Sequence, residues 1–205
     1  MAFFRTLFGP SKEEIWRQFA AQTGSHYVPG GFWKGDKIEA THGSWTVVLD
    51  TFTVSTGKTS VTYTRMRAPY AVADGFHFTV YRQGFFSEIG KWFGMQDVTV
   101  GYEDFDRDFI IKGNDEGKLC QLFSNQKIRE LIAAQPQIHF SVEHDDGNGW
   151  TKMFPAGVDE LKFQVAGVIK DLERLKLLYE LFAETLDELC RMGSASPQKP
   201  PIAIT

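Results

Sequence analysis

Cysteine is almost missing from this 205-residue chain. Cys120 and Cys190 are too few for a disulfide framework, and both fall in helical patterns where a thiol serves as a small buried hydrophobe. That usage fits a cytoplasmic, reducing setting. A basic excess is also missing: 22 Lys and Arg stand against 26 Asp and Glu, a net charge of −4. Nucleic acid needs a cationic footprint, so it is not an expected partner. No apolar run approaches the ~20 residues of a transmembrane helix. Met1 to Pro10 is apolar but broken by Arg5 and too short for a signal peptide, so Phe3, Phe4, Leu7 and Phe8 are expected to pack on the domain.

Motifs of chemistry are equally sparse. His26, His42, His77 and His139 lack metal-ligand spacing, and Glu143-His144-Asp145-Asp146 sits beside a turn where acids serve backbone geometry. No serine occupies a nucleophile elbow. A lone helical cysteine, Cys120, is a weak nucleophile candidate. Thr56-Gly57-Lys58-Thr59 looks like the end of a phosphate-binding loop, yet Phe52 stands where the first glycine belongs and a strand follows, which makes it a hairpin turn. Asp104, Asp106, Asp108 and Asp115 have the spacing of a calcium-loop opening, but Phe109 replaces the turn glycine and Asp115 is shorter than the usual glutamate, which favours a solvated acidic edge. No metal, cofactor or catalytic residue is therefore expected.

What the chain does contain is apolar and aromatic mass: 42% hydrophobic residues and 18 phenylalanines. These build either an aromatic-rich core or a lined apolar pocket. Ser11-Lys-Glu-Glu14 is a capping box that opens a helix to about Thr23, with Ile15, Trp16, Phe19 and Ala20 on one face and Gly24 as the stop. Trp45–Val54 and Ser60–Arg67 read as a hairpin ended by Pro69, and Phe76–Arg82 as the next strand. Phe85–Phe93 reads as a short helix. Lys118 to Ala134 is helical with Ser124 as an internal cap. Ile138–Val142 and Trp150–Phe154 form a second hairpin about Asp146-Gly147-Asn148-Gly149.

Near the end, Leu161, Val165, Val168, Leu172, Leu175, Tyr179, Phe182, Leu186 and Leu189 recur at 4-3 spacing. They predict one helix, about 50 Å long, that follows Pro155-Ala156-Gly157 and ends at Gly193. Its stripe must be buried, and Leu172, Leu175, Tyr179, Phe182, Leu186 and Leu189 are candidates for contact with a second copy. Ile169, Leu177, Leu178, Leu181 and Cys190 broaden the stripe, which suits a sheet better than a coiled-coil partner.

The pattern predicts an α+β fold, an antiparallel sheet packed on helices, in one domain over 1–193 with a disordered tail over 194–205. Arg65, Arg67 and Arg82, with Tyr63 beside them, are the candidate ligand-binding residues, since clustered guanidiniums hold carboxylate or phosphate bidentately. The opposing expectation is that they pair with strand acids such as Asp50.

The stretch Gly101-Tyr-Glu-Asp-Phe105-Asp106-Arg-Asp-Phe109-Ile-Ile-Lys-Gly-Asn-Asp115, with Leu122-Phe123 and a helix after it, resembles a segment common in uncharacterised bacterial proteins. In them an F-D-x-x-F strand precedes an acidic turn and a helix. The resemblance implies a bacterial, non-enzymatic family and transfers no functional residue. The leading expectation is a non-catalytic binding or interaction protein, self-associating through the C-terminal helix. The alternatives are a carrier of a hydrophobic or amphipathic anionic small molecule and an enzyme without a recognisable motif.

Overall fold

The computed structural model describes residues 9–31, 35–55, 57–84, 97–144 and 154–200. The N-terminal apolar segment, the helix expected over Phe85–Phe93 and the turn expected at Asp146–Gly149 lie wholly or almost wholly outside them. Helix α1 (Lys12–Thr23) starts where Ser11 Oγ accepts from the Glu14 amide at 3.1 Å, and stops at Gly24 with φ 66°. Ile15, Trp16, Phe19 and Ala20 are its buried face.

Strands β1 (His26–Val28), β2 (Lys37–His42), β3 (Trp45–Ser55) and β4 (Ser60–Ala71) follow as a meander, then β5 (Phe78–Arg82). Helix α2 (Glu103–Asp108), strand β6 (Phe109–Gly113), helices α3 (Glu116–Ser124) and α4 (Gln126–Ala133), strands β7 (His139–His144) and β8 (Val158–Ala166), and helix α5 (Leu172–Arg191) complete the order. Among the described residues all strand pairs are antiparallel, in one eight-stranded sheet of order β1-β2-β3-β4-β8-β7-β5-β6. This is the expected α+β fold with its long C-terminal helix.

Several boundaries differ from the expectation for identifiable reasons. Strand β4 runs through Pro69 to Ala71, because its ladder with β3 stops at Arg67 while β8 continues alongside it. A proline is tolerated where one side of the strand is unpaired. The cap between α3 and α4 is Asn125, whose Oδ1 accepts from the Lys127 and Ile128 amides, and not Ser124. The F-D-x-x-F stretch is not all strand: Phe105 and Asp106 lie in α2, and only Phe109 opens β6.

The largest correction concerns the C-terminal stripe. Leu161 and Val165 lie in β8, not in a helix, and α5 spans 20 residues, about 30 Å. Gly167, with φ 93°, breaks the chain between them. Its carbonyl accepts from Thr64 Oγ1 at 2.8 Å, the Ile169 amide donates to Thr64 Oγ1 at 2.9 Å, and Trp16 Nε1 donates to the Ile169 carbonyl at 3.2 Å. Asp171 then caps α5 by accepting from the Arg174 amide.

The five described helices and one face of the sheet share a single core. Within it an unbroken run of rings links Phe109, Phe105, Phe123, Phe78, Phe140 and Phe182, with successive centroids 4.8, 5.4, 6.1, 5.8 and 5.6 Å apart. Much of the phenylalanine content is thus spent on packing. The segment after Gly193 is held as well: Ala195 bridges Val72, the Ala73 amide donates to the Ser194 carbonyl, and the Ser196 amide donates to the Ala71 carbonyl. The disordered tail expected from Ser194 is therefore not observed over its first residues.

Candidate functional site

The alternation of side chains across a strand sends half of β3, β4, β7 and β8 to the face opposite the helices. Register there places Asp50 opposite Arg65, Arg67 opposite Lys162, and Glu143 opposite Glu160. The last two pairs are of like sign, so attraction runs along the diagonals. Arg65 grips Asp50 bidentately, Nε to Oδ1 at 2.9 Å and Nη2 to Oδ2 at 2.8 Å, and Arg67 Nη2 donates to the same Oδ2 at 2.8 Å. Arg67 Nη1 stands 3.8 Å from Glu160 Oε1. Lys162 Nζ donates to Glu143 Oε2 at 2.9 Å, and Ser141 Oγ donates to Glu143 Oε1 at 3.2 Å.

This array is buried to an unusual degree for so many charges. Arg67 is 3% exposed and Glu160 7% exposed. Among the described residues, Arg67 Nε and Glu160 Oε1 have no hydrogen-bond partner. A buried carboxyl with incomplete pairing resists ionisation, and desolvation pushes Glu160 up to about 7 against the opposing pull of Arg67 and Lys162, while Glu143 adds to the rise.

The consequence for stability has a definite sign. Unfolded, Glu160 titrates near 4.5, and folded near 7. Below the lower value both states carry the proton and Glu160 costs nothing. Between the two values only the fold keeps it, so stability falls as pH rises, and the loss is complete above about pH 7, reaching about 3 kcal/mol. Glu160→Gln is expected to flatten that slope, gaining up to about 3 kcal/mol over the native chain at about pH 8 and nothing near pH 4. Urea unfolding across this range measures it.

The array continues into an apolar flank on the same two strands. Phe52 and Tyr63 are cross-strand partners with stacked rings, centroids 5.2 Å apart, and the Arg65 guanidinium lies 4.8 Å from the Phe52 centroid. One pair further out, Val54 faces Val61; they are 43% and 40% exposed and are the large hydrophobic side chains exposed among the described residues. Along β4, Val61, Tyr63, Arg65 and Arg67 thus form a track that grades from exposed apolar to buried cationic.

Of the residues marked from sequence, Tyr63, Arg65 and Arg67 come together on this face. Arg82 does not join them: it lies on the core side of β5, stacks on Phe109 at 4.7 Å and donates from Nη2 to the carbonyls of Ala133 and Gln135. That makes it a clamp on the end of α4. The candidate interface residues Leu175, Phe182, Leu186 and Leu189 are fully buried in the chain's own core, with Leu172 and Tyr179 packed at its edge. Tyr179 also donates to the Thr41 carbonyl at 3.0 Å. The stripe's demand for burial is met without a second copy. Asp106 spends its carboxylate on the amides of Val100, Gly101 and Tyr102.

The sequence reading passes over Glu160 and Lys162, because 160–162 reads there as helix, and takes Glu143 only as one of the acids beside a turn. The overlooked signal is the period of two in Leu161, Phe163 and Val165, with Glu160, Lys162 and Gln164 between them. Leu161 and Val165 satisfy both periods; Phe163 fits only the strand.

No helix among the described residues is long and apolar enough to cross a membrane. No protein-family model and no curated protein matches this chain. Among solved structures, the crystal structure of the mycobacterial trehalose monomycolate transport factor A, TtfA, is similar with a TM-score of 0.46 at 9% identity, over 91% of this chain and 96% of that one. A likeness that distant assigns neither family nor function.

Proposed function

We propose that this chain is a non-catalytic binding protein, and that the sheet face opposite the helices takes an amphipathic molecule with an anionic headgroup. The observation that carries this reading is the graded track on β3 and β4. Exposed Val54 and Val61 and the stacked Phe52–Tyr63 pair lead to two guanidiniums, one of them buried with an unpartnered Nε–H. Apolar contact supplies affinity for a tail, and a preset guanidinium fixes the head. Self-association through α5 has less support, because the side chains that would mediate it are already buried within the chain.

Native mass spectrometry tests this reading. Purified protein mixed with octanesulfonate is expected to hold one ligand, and Arg65→Ala to weaken the complex about tenfold or more, the worth of a hydrogen bond to a charged group. Equal occupancy in the variant removes Arg65 from the site. Failure of the native chain to bind any amphipathic anion removes the reading.

A further inference from the structure

We propose that the tip of the β3–β4 hairpin docks on an anionic lipid surface. The inference rests on the reading of this face as a site for an amphipathic anion, and it names the surface where that molecule is met. The hairpin outruns its neighbours in the sheet. The β2 ladder covers β3 as far as Leu49, and the β8 ladder covers β4 as far as Thr64, with a last bridge from Gly167 to Tyr63. Past these points β3 and β4 pair only with each other among the described residues, out to Ser55 and Ser60. Residues 53–55 and 57–61 are exposed, so the tip is open to solvent on both faces.

The two faces of the tip differ in chemistry. Val54 and Val61 stand side by side on one. On the other, hydroxyls pair across the strands: the Oγ1 atoms of Thr53 and Thr62 are 2.9 Å apart, and Ser60 Oγ donates to Ser55 Oγ at 3.1 Å. A paired hydroxyl loses less on leaving water than a free one, so neither face resists entry into a headgroup layer. From Thr51 to Thr64 the one charged residue is Lys58, a cation in a chain of net charge −4. The acids lie elsewhere, with Glu103 and Asp104 on α2 and Glu173, Glu184 and Asp187 on α5. An anionic surface therefore attracts this end of the molecule and repels those helices.

Size decides between a lipid and a protein partner. A stable protein interface takes about 800 Å² and roughly 20–30 residues from each side. The open tip offers eight described residues. A bilayer needs no matching shape and receives a small apolar wedge together with a cation. The area is small, so docking is weak and reversible, as a protein that leaves with its ligand requires. Flotation at low ionic strength, with vesicles of equal parts phosphatidylcholine and phosphatidylglycerol, tests this. The native chain should bind them about fivefold more tightly than Lys58→Gln does, the contribution of one lysine at an anionic surface, and about fivefold more tightly than it binds phosphatidylcholine alone. Val54→Ser combined with Val61→Ser should lose about tenfold on both kinds of vesicle. All three positions are exposed, and unchanged urea midpoints show that the variants fold.

Native mass spectrometry with octanesulfonate separates this proposal from the reading beneath it. Lys58 lies outside the binding track, so Lys58→Gln should hold octanesulfonate as the native chain does. A native chain that holds octanesulfonate but does not float overturns the docking and leaves the functional reading intact. One that floats but binds no amphipathic anion keeps the docking and removes the functional reading; one that does neither overturns both. Vesicle binding unaltered by the substitutions at 54, 58 and 61 overturns the tip as the point of contact. A native dimer by light scattering that becomes a monomer in Val54→Ser with Val61→Ser assigns the tip to a second copy and overturns the lipid surface.

Discussion

Asp50→Ala is expected to lower the unfolding free energy by about 3 kcal/mol, the low end of what breaking a buried ion pair costs. Asp50 accepts three hydrogen bonds from two guanidiniums. The two halves of that loss differ. Arg65 keeps 21% of its side chain exposed and can turn toward water; Arg67 keeps 4% and cannot. The cost is therefore mainly that of a stranded Arg67, with Glu160 as its remaining carboxylate neighbour. Two consequences separate this account from a general weakening. Adding Arg67→Met to Asp50→Ala should restore stability, because it removes the stranded charge and leaves an apolar side chain of similar length. The fall in stability with rising pH should also shrink in Asp50→Ala, as Arg67 pulls Glu160 toward ionisation without competition. Urea midpoints at constant m-value report both. A loss under about 1 kcal/mol would mean that Arg67 finds another partner.

Phe182→Ala is expected to cost about 3–5 kcal/mol. The ring ends the aromatic run, meets Phe140 edge-on at 5.6 Å, and is fully buried with Leu178 and Leu186 one turn to either side. Removing it opens a cavity that α5 cannot collapse into, because Asp171 and the Gly167–Thr64–Ile169 contacts fix the start of the helix. The control is Tyr179→Ala on the same stripe, which loses an edge contact with Phe19 and a hydrogen bond to Thr41 at the surface. It should cost markedly less. A helix face that existed for a second copy would give the reverse pattern, with Phe182→Ala changing assembly and leaving the midpoint of the isolated chain in place.

The sequence was readable where one local rule acts alone. The Ser11 cap and Gly24 stop bound α1 as their chemistry requires, and the long β3–β4 hairpin follows from alternation and its turn. The C-terminal stripe was misread because a period of two and a 4-3 spacing share Leu161 and Val165. Phe163 and the glycine at 167 break the tie, since a helix interior disfavours glycine by about 1 kcal/mol relative to alanine. The candidate site was half legible. Arg65, Arg67 and Tyr63 alternate within one strand, so a single segment reveals their shared face. Glu143, Glu160 and Lys162 reach the same face only through pairings that join residues far apart in the chain, and no local pattern encodes those. Arg82 was grouped with the other arginines by residue type, yet β5 presents it to the core side.

The strand order also carries a cost in time. Strand β4 is made early, but its neighbour on the inner side, β8, arrives about a hundred residues later, as the pairing of Thr64 with Val165 shows. Until then the β3–β4 hairpin offers an open strand edge, and Arg67 and Asp50 stand in water without the face they will share with Lys162 and Glu160. Contacts of such separation slow folding and leave edges open to wrong partners during synthesis. Proline at position 69, on the part of β4 that β3 does not cover, lacks the amide that an intruding strand would need. A residue that looks like the end of a strand thus also guards the side of it that stays uncovered after β8 has arrived.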